Sequence, residues 1–224
     1  MTGRFFRGPI PWGEYGDHLD FIPPEGIEPP EPRYNIPPSS WVPVIRPRLF
    51  NQPGNEMALM LWNLVPMWWN KPLAEKKWTS FTAQSETIDE APTFRGAYRY
   101  RRCVIPASGF FVWSGASGKR IPFAIGLIEQ PWFCFAGVWE TWSYDGSEVD
   151  TFAILTTEAN DLVGAHSTRM PVILRPRDYI TWLDPPGKHT ARLFRPFPAE
   201  DMEEWPVDPT VGNISNQGPD LIAR

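Results

Sequence analysis

The stretch Arg102-Cys-Val-Ile-Pro-Ala-Ser-Gly-Phe-Phe-Val-Trp113 decides the fold. Two apolar runs of strand length, Cys103 to Pro106 and Phe110 to Trp113, flank a Ser-Gly turn signal, and both are too short and too closely punctuated to be helices. The same pattern recurs outward from it. Towards the C-terminus come Pro122-Phe-Ala-Ile-Gly-Leu127, Trp132-Phe-Cys-Phe-Ala-Gly-Val-Trp139 and Thr151-Phe-Ala-Ile-Leu-Thr156; towards the N-terminus come Met57-Ala-Leu-Met-Leu-Trp62 and Trp41-Val-Pro-Val-Ile45. Gly, Ser, Pro, Asn and Asp separate them, as strand ends require.

Helical signals are few and short. Phe94, Ala97 and Tyr98 fall at i, i+3, i+4 spacing and predict a short basic helix before Arg102. Thr157-Glu-Ala-Asn-Asp-Leu-Val163 opens on a hydroxyl residue suited to an N-cap, and Arg177-Asp-Tyr-Ile-Thr-Trp-Leu183 predicts another helix ending before Pro185. Prolines crowd residues 1–50, so this region is expected to form extended loops wrapping the domain, with little room for helix. Residues 205–224 read as a terminal loop or strand. Without a repeat or a Gly/Ser linker, the pattern predicts one α+β domain over residues 1–224, a mostly antiparallel sheet curled toward a barrel with a few short helices.

Composition narrows the function classes. The 224 residues, 42% of them hydrophobic, suffice for one substantial core. Twelve Trp and fourteen Phe serve either as core or as stacking platforms for bases. A net charge of −5 argues against sequence-independent coating of DNA, which relies on Lys and Arg neutralising phosphates, but leaves room for a local basic groove. Cys103 and Cys134 lie in apolar runs and read as buried reduced thiols, and no metal-ligand spacing accompanies them. No apolar stretch is long enough for a membrane span; a cytoplasmic protein with no cofactor, no metal and no membrane partner is expected.

Six segments, in order, carry a resemblance: Met1-Thr-Gly-Arg-Phe5, Tyr34-Asn-Ile-Pro-Pro38, Trp62-Asn-Leu-Val-Pro-Met-Trp68, Thr82-Ala-Gln-Ser-Glu-Thr87, Arg101 to Trp113, and His166-Ser-Thr-Arg-Met-Pro-Val-Ile-Leu174. Together they resemble the SOS-response-associated peptidase-like (SRAP) family of abasic-site DNA sensors, across nearly the whole chain. The resemblance implies an N-terminal Cys, exposed by methionine removal, whose amine and thiol capture the ring-opened aldehyde of an abasic site as a thiazolidine on single-stranded DNA. It also implies an Asn and an Arg that orient the lesion and its phosphate, an acid-base Glu before a Trp, and a His.

At those positions this chain has Thr2 for the Cys, Thr82 for the Asn, Gln84 for the Arg and Val112 for the Glu, while Glu86 and Thr87 are kept. A hydroxyl is a far poorer nucleophile than a thiolate, and valine cannot transfer a proton. His166 stands at the family's His, with one extra residue before Arg169-Met170-Pro171; a general acid and a loop-bonding histidine are both consistent with it. The candidate DNA contacts are Arg4, Gln84, Arg95, Arg99, Arg101, Arg102, Trp68, Trp113 and Arg169. For Arg4 the ordinary alternative is a salt bridge, for the Arg95 to Arg102 cluster a solvated helix face, and for the tryptophans core packing. Three readings stay open: a family member that binds single-stranded or abasic-site DNA without the thiazolidine; an altered enzyme whose Thr2 amine forms a reversible Schiff base with the lesion; and a phage-associated protein-interaction module.

Overall fold

The computed structural model describes residues 3–50, 52–115, 120–184 and 190–224. Its strands are β1 (Phe5–Arg7), β2 (Arg33–Ile36), β3 (Trp41–Pro47), β4 (Asn55–Trp62), β5 (Thr82–Gln84), β6 (Arg102–Ala107), β7 (Gly109–Ser114), β8 (Ile121–Leu127), β9 (Phe133–Tyr144), β10 (Ser147–Glu158), β11 (Arg169–Pro171), β12 (Ile173–Leu174) and β13 (Met202–Pro206). The helices are α1 (Trp12–Leu19), α2 (Arg95–Tyr100), α3 (Asp161–Gly164) and α4 (Tyr179–Leu183).

The anticipated barrel is present. Strands β10, β4, β3, β6 and β9 pair in that order, and β9 pairs back onto β10, closing a ring. Every pairing in it is antiparallel except β10 with β4, where Thr151 faces Leu61 and Phe152 faces Trp62 in parallel register. A second sheet of five strands runs β13-β8-β7-β1-β2. Period-2 alternation sorts its side chains: Phe5, Ile36, Phe110, Val112 and Ile125 join barrel residues Val42, Val44, Met60, Trp62, Ile105, Phe135 and Phe152 in one apolar cluster. Phe6, Phe111 and Ala124 face the opposite way and are covered by the C-terminal residues Val207, Val211 and Leu221.

The helices cover the outside of the barrel. Tyr15 and Leu19 of α1, Ala97 of α2, and Tyr179, Trp182 and Leu183 of α4 pack on Ile45, Val104, Cys134, Ala136 and Val138. Trp182 donates through Nε1 to the Cys103 carbonyl at 2.8 Å, and the Tyr179 hydroxyl accepts from the Cys134 backbone N–H at 3.1 Å, so α4 is hydrogen-bonded to two strands. Both cysteines are free and buried, and burial pushes both thiols above their ordinary pKa.

Two local expectations are corrected. The proline-rich first fifty residues contain three strands and a helix; α1 follows Pro11, whose fixed φ suits the residue before a helix, and the prolines delimit the elements without excluding them. Thr157 caps nothing: β10 runs through it to Glu158, and the cap of α3 is Asn160, whose side chain accepts from the Val163 N–H at 2.9 Å. Pairing of Thr157 with Met170 of β11 outweighs the local capping preference.

Gly109 starts β7 where the chain has no room for a side chain, since a Cβ would overlap the Ile125 carbonyl oxygen and the Phe6 ring. Gly109→Ala is expected to destabilise the protein by about 1–3 kcal/mol through overpacking. Urea unfolding followed by tryptophan fluorescence measures this; an unchanged midpoint would show that β7 and β8 can part without cost.

Candidate functional site

The chain's N-terminal segment and three loops meet at one end of the small sheet. β1 pairs with β7, Phe5 facing Phe110, and the Phe111 N–H donates to the Arg4 carbonyl at 3.0 Å. This register, continued, sets Gly3 beside Val112. A side-chain carbon at Gly3 would lie 3.8 Å from the Phe81 ring and 3.9 Å from Pro38, which places Gly3 against the residue just before β5 and against the Pro37-Pro38 turn. That turn is held to β4 by the Ser39 N–H on the Trp62 carbonyl at 2.8 Å, and Trp62 Nε1 donates to the Phe81 carbonyl at 2.8 Å.

Next to this junction is a cavity of about 300 Å³ lined by Val112, Trp113, Ser114, Arg120, His166 and Ser167, among others. The His166 side chain is 7% exposed; its Nε2 lies 2.6 Å from Glu204 Oε2, and its ring packs on Phe123 with centroids 4.7 Å apart. Arg4 reaches over Trp113, its guanidinium carbon 5.5 Å from the ring centroid. Its Nη1 donates to Asn35 Oδ1 and to the Val211 carbonyl, both at 2.8 Å. All three partners are neutral, so the positive charge is held in place without being cancelled.

The β5 side of the junction is built on a fork. Arg169 Nη1 and Nη2 donate to the two Glu86 carboxylate oxygens at 2.8 and 2.7 Å, and Nη2 also donates to the Thr156 carbonyl at 2.6 Å. The hydrogen bond from Arg169 holds the Glu86 carboxyl below its ordinary pKa. Thr82 and Gln84 flank Ala83 on β5, opposite Ile154 and Thr156 of β10.

A model of the family described as SOS response associated peptidase (SRAP) matches residues 1–214. The chain belongs to this family. It is 33% identical over 232 residues to the abasic site processing protein YoqW of Bacillus subtilis, covering 99% of both chains. It is 30% identical over 203 residues to the abasic site processing protein YedK of Escherichia coli, covering 86% of each. Among solved structures, a Bordetella bronchiseptica protein matches with a TM-score of 0.77 at 26% identity, covering 92% of this chain and 99% of that one. A phage-related protein from the same organism matches with a TM-score of 0.68 at 25% identity, covering 92% and 93%.

The SRAP positions named from the sequence divide into those gathered at the junction and those placed elsewhere. Val112, Trp113 and His166 line the cavity, Arg4 covers the Trp113 ring from the Phe111 face of the sheet, and Thr82 and Gln84 lie on β5. Thr2 lies outside the described residues. Arg169, assigned to DNA, is instead the tether between β11 and Glu86, its fork already occupied by a carboxylate.

The basic run near residue 100 does not act as one surface. Arg102 is 3% exposed, its guanidinium set 5.0 Å from the ring centroids of both Tyr98 and Trp182, so it leaves no face for a phosphate. Arg101 is bound to the buried Glu140 at 2.8 Å; despite that partner, burial pushes the Glu140 carboxyl up. Arg95 and Arg99 are exposed on α2. Trp68 is 54% exposed and stacks on Trp78, with Lys76 over the other ring at 4.9 Å.

Three residues were missed by reading the sequence. Asn35 is fully buried and donates through Nδ2 to the Val211 and Asn213 carbonyls at 3.0 Å, holding the C-terminal turns over β2 beside Arg4. Lys76 donates to the Trp78 carbonyl at 2.7 Å and Ser80 Oγ at 2.8 Å, and desolvation pushes its pKa down to about 8. Glu204 carried no signal except its position in an alternating segment, Met202-Glu-Glu-Trp-Pro206, where Met202 and Glu204 share a face.

The Glu86–Arg169 fork predicts a pH signature. Because the folded pKa of Glu86 is depressed, its contribution to stability is fully present above the ordinary carboxylate pKa and is lost as pH falls through the folded value. Arg169→Gln is expected to be less stable than the parent at pH ~7, by about 1–3 kcal/mol for the broken fork and the orphaned Thr156 carbonyl. The gap should narrow as pH falls below about 4. Thermal unfolding at several pH values measures it; a gap independent of pH would mean the fork carries no charge-dependent stability.

Proposed function

We infer that this SRAP protein binds single-stranded DNA carrying an abasic site, in the DNA-damage (SOS-associated) response, and holds it without the family's cysteine-dependent thiazolidine. The observation that carries the reading is the position of Trp113, which lines the cavity that holds His166 and whose ring is covered by the uncancelled Arg4 guanidinium. A phosphate on Arg4 and a base stacked on Trp113 would direct an unpaired sugar to that cavity, because a missing base leaves nothing to keep the sugar in a stack. The exposed Trp68 with Arg95 and Arg99 offers stacking faces and charge for flanking nucleotides. The names of YoqW and YedK as abasic site processing proteins agree with this choice of lesion.

The chemistry at the lesion differs from the family's in kind. Neither cysteine is near the N-terminus, and Cys103 and Cys134 are buried thiols with raised pKa. A thiolate nucleophile from this chain is therefore unsupported. A second reading is favoured by the position of Gly3 between Phe81 and Pro38, which brings the start of the chain to the junction. After methionine removal the Thr2 α-amine, with an ordinary pKa of about 8, would form a reversible imine with the sugar aldehyde and release water.

One experiment separates these readings. The purified protein, its N-terminus defined by mass spectrometry, is incubated with abasic and intact single-stranded oligonucleotides, with and without borohydride. Preferential binding of the abasic strand without any adduct is expected from the first reading, and an adduct seen only after reduction from the second. A stable adduct without reduction would overturn both, and failure to bind either strand at low salt would favour a protein-interaction role for the fold. Thr2→Cys combined with Val112→Glu and Thr82→Asn is expected to crosslink where Thr2→Cys alone does so weakly or not at all. Arg4→Ala should weaken binding of both strands and reduce the slope of log affinity against log salt by about 1.

A further inference from the structure

The family's carboxylate position is empty of charge at Val112, yet the cavity's histidine has a carboxylate partner from another strand. In the small sheet, Val112 of β7 faces Phe123 of β8, which faces Pro206 of β13; one row along, Phe110 faces Ile125, which faces Glu204. Val112, Phe110, Ile125 and Met202 all belong to the inner apolar cluster, so Glu204, two residues from Met202, projects from the same inner face as Val112. β8 separates the two strands, and His166 packs its ring on Phe123 of that middle strand. The histidine therefore lies between the position where the carboxylate is absent and the one where it is present.

We propose that Glu204 is the positioning residue of this site, replacing from β13 the carboxylate missing from β7, and that it fixes His166 as a proton acceptor for a hydroxyl or amine placed in the cavity. An ionised carboxylate only accepts, so whenever the ring carries a single proton the 2.6 Å contact places it on Nε2. That tautomer leaves Nδ1 as a bare lone pair. Among the described residues Nδ1 is buried with no partner, although the ring lines the cavity. A buried acceptor left without a donor costs free energy unless something in the cavity donates to it, and a sugar hydroxyl or a protein amine is such a donor. Ser114 and Arg120 also line the cavity, which adds polar residues to its wall. Glu204 keeps 35% side-chain exposure, so its carboxylate is reached by water on one side and by the imidazole on the other.

The role of the pair in DNA chemistry rests on the abasic-DNA reading, whereas the pairing itself does not, and imidazole 15N spectra separate the two. The three histidines are His18, His166 and His189, and His166→Gln assigns the signal. At pH ~8, where a free imidazole is neutral, His166 of the parent is expected to carry its proton on Nε2. Glu204→Gln, whose amide oxygen still accepts, should preserve that tautomer, and Glu204→Leu should give a mixture. A proton on Nδ1 in the parent, or an unchanged tautomer in Glu204→Leu, would overturn the proposal. Addition of an abasic single-stranded oligonucleotide should move the Nδ1 resonance, while the intact strand of equal length leaves it in place. An unmoved Nδ1 resonance with the abasic strand bound, as read by fluorescence anisotropy, would overturn the proton-acceptor role. If neither strand binds, the reading of the preceding section fails and takes the role in DNA chemistry with it, and the tautomer alone decides the pairing. Where borohydride trapping detects an imine, Glu204→Leu should slow it by about tenfold or more, with Glu204→Gln intermediate.

Discussion

The arrangement of this protein depends on the parallel pairing of β10 with β4. A closed ring of five strands cannot alternate direction throughout, so one neighbouring pair must run parallel; here it is Thr151 and Phe152 against Leu61 and Trp62, partners 90 residues apart in sequence. β10 then continues past the ring, and its free half takes β5 in parallel on one side and β11 antiparallel on the other. Thr82, Gln84, Glu86 and Arg169 are all positioned by that one strand. The Thr151 hydroxyl secures the same crossing, accepting from the Val65 N–H at 2.8 Å and donating to the Glu140 carbonyl at 3.2 Å. Closing the barrel and assembling one wall of the site are a single event.

The strands were legible from the sequence because their signal is local: a short apolar run and its turn residues contain the information that makes them strands. The Cys103 to Trp113 stretch became β6 and β7 as anticipated, and the other apolar runs fall within strands apart from Trp132, one residue before β9. Ring closure was not legible in detail, since it depends on which distant edges meet. The basic run shows the same limit at the site. Arg95, Arg99, Arg101 and Arg102 look alike in sequence, yet the end of α2 turns Arg102 onto two aromatic rings and Arg101 to a buried carboxylate, leaving the other two in solvent. Glu204 was invisible for a related reason, because its significance lies in a row of three strands that only the folded sheet creates.

The departures from the SRAP pattern are physically coherent as a set. With Val at position 112 the inner sheet face becomes wholly apolar beside β1, and a charged neighbour for the N-terminal segment disappears. With Gln in place of Arg at position 84, β5 loses a cation while Arg4 remains. Arg4 and His166 thus stand where the sequence resemblance implied them, beside positions 84 and 112 that carry Gln and Val. A fold can hold its surface recognition while its reactive centre changes, because the two are supported by different strands.

Asn35 and Arg4 both take the Val211 carbonyl, and the Gln217 side chain donates to the Asn35 carbonyl at 2.8 Å. These bonds join the first sixth of the chain to the last tenth. Contacts so distant in sequence form late in folding, after the entropy of closing nearly the whole chain has been met. Until residues 211–217 are in place, the Arg4 guanidinium and the Asn35 amide lack their shared acceptor, so one late segment of the chain sets the pose of both side chains.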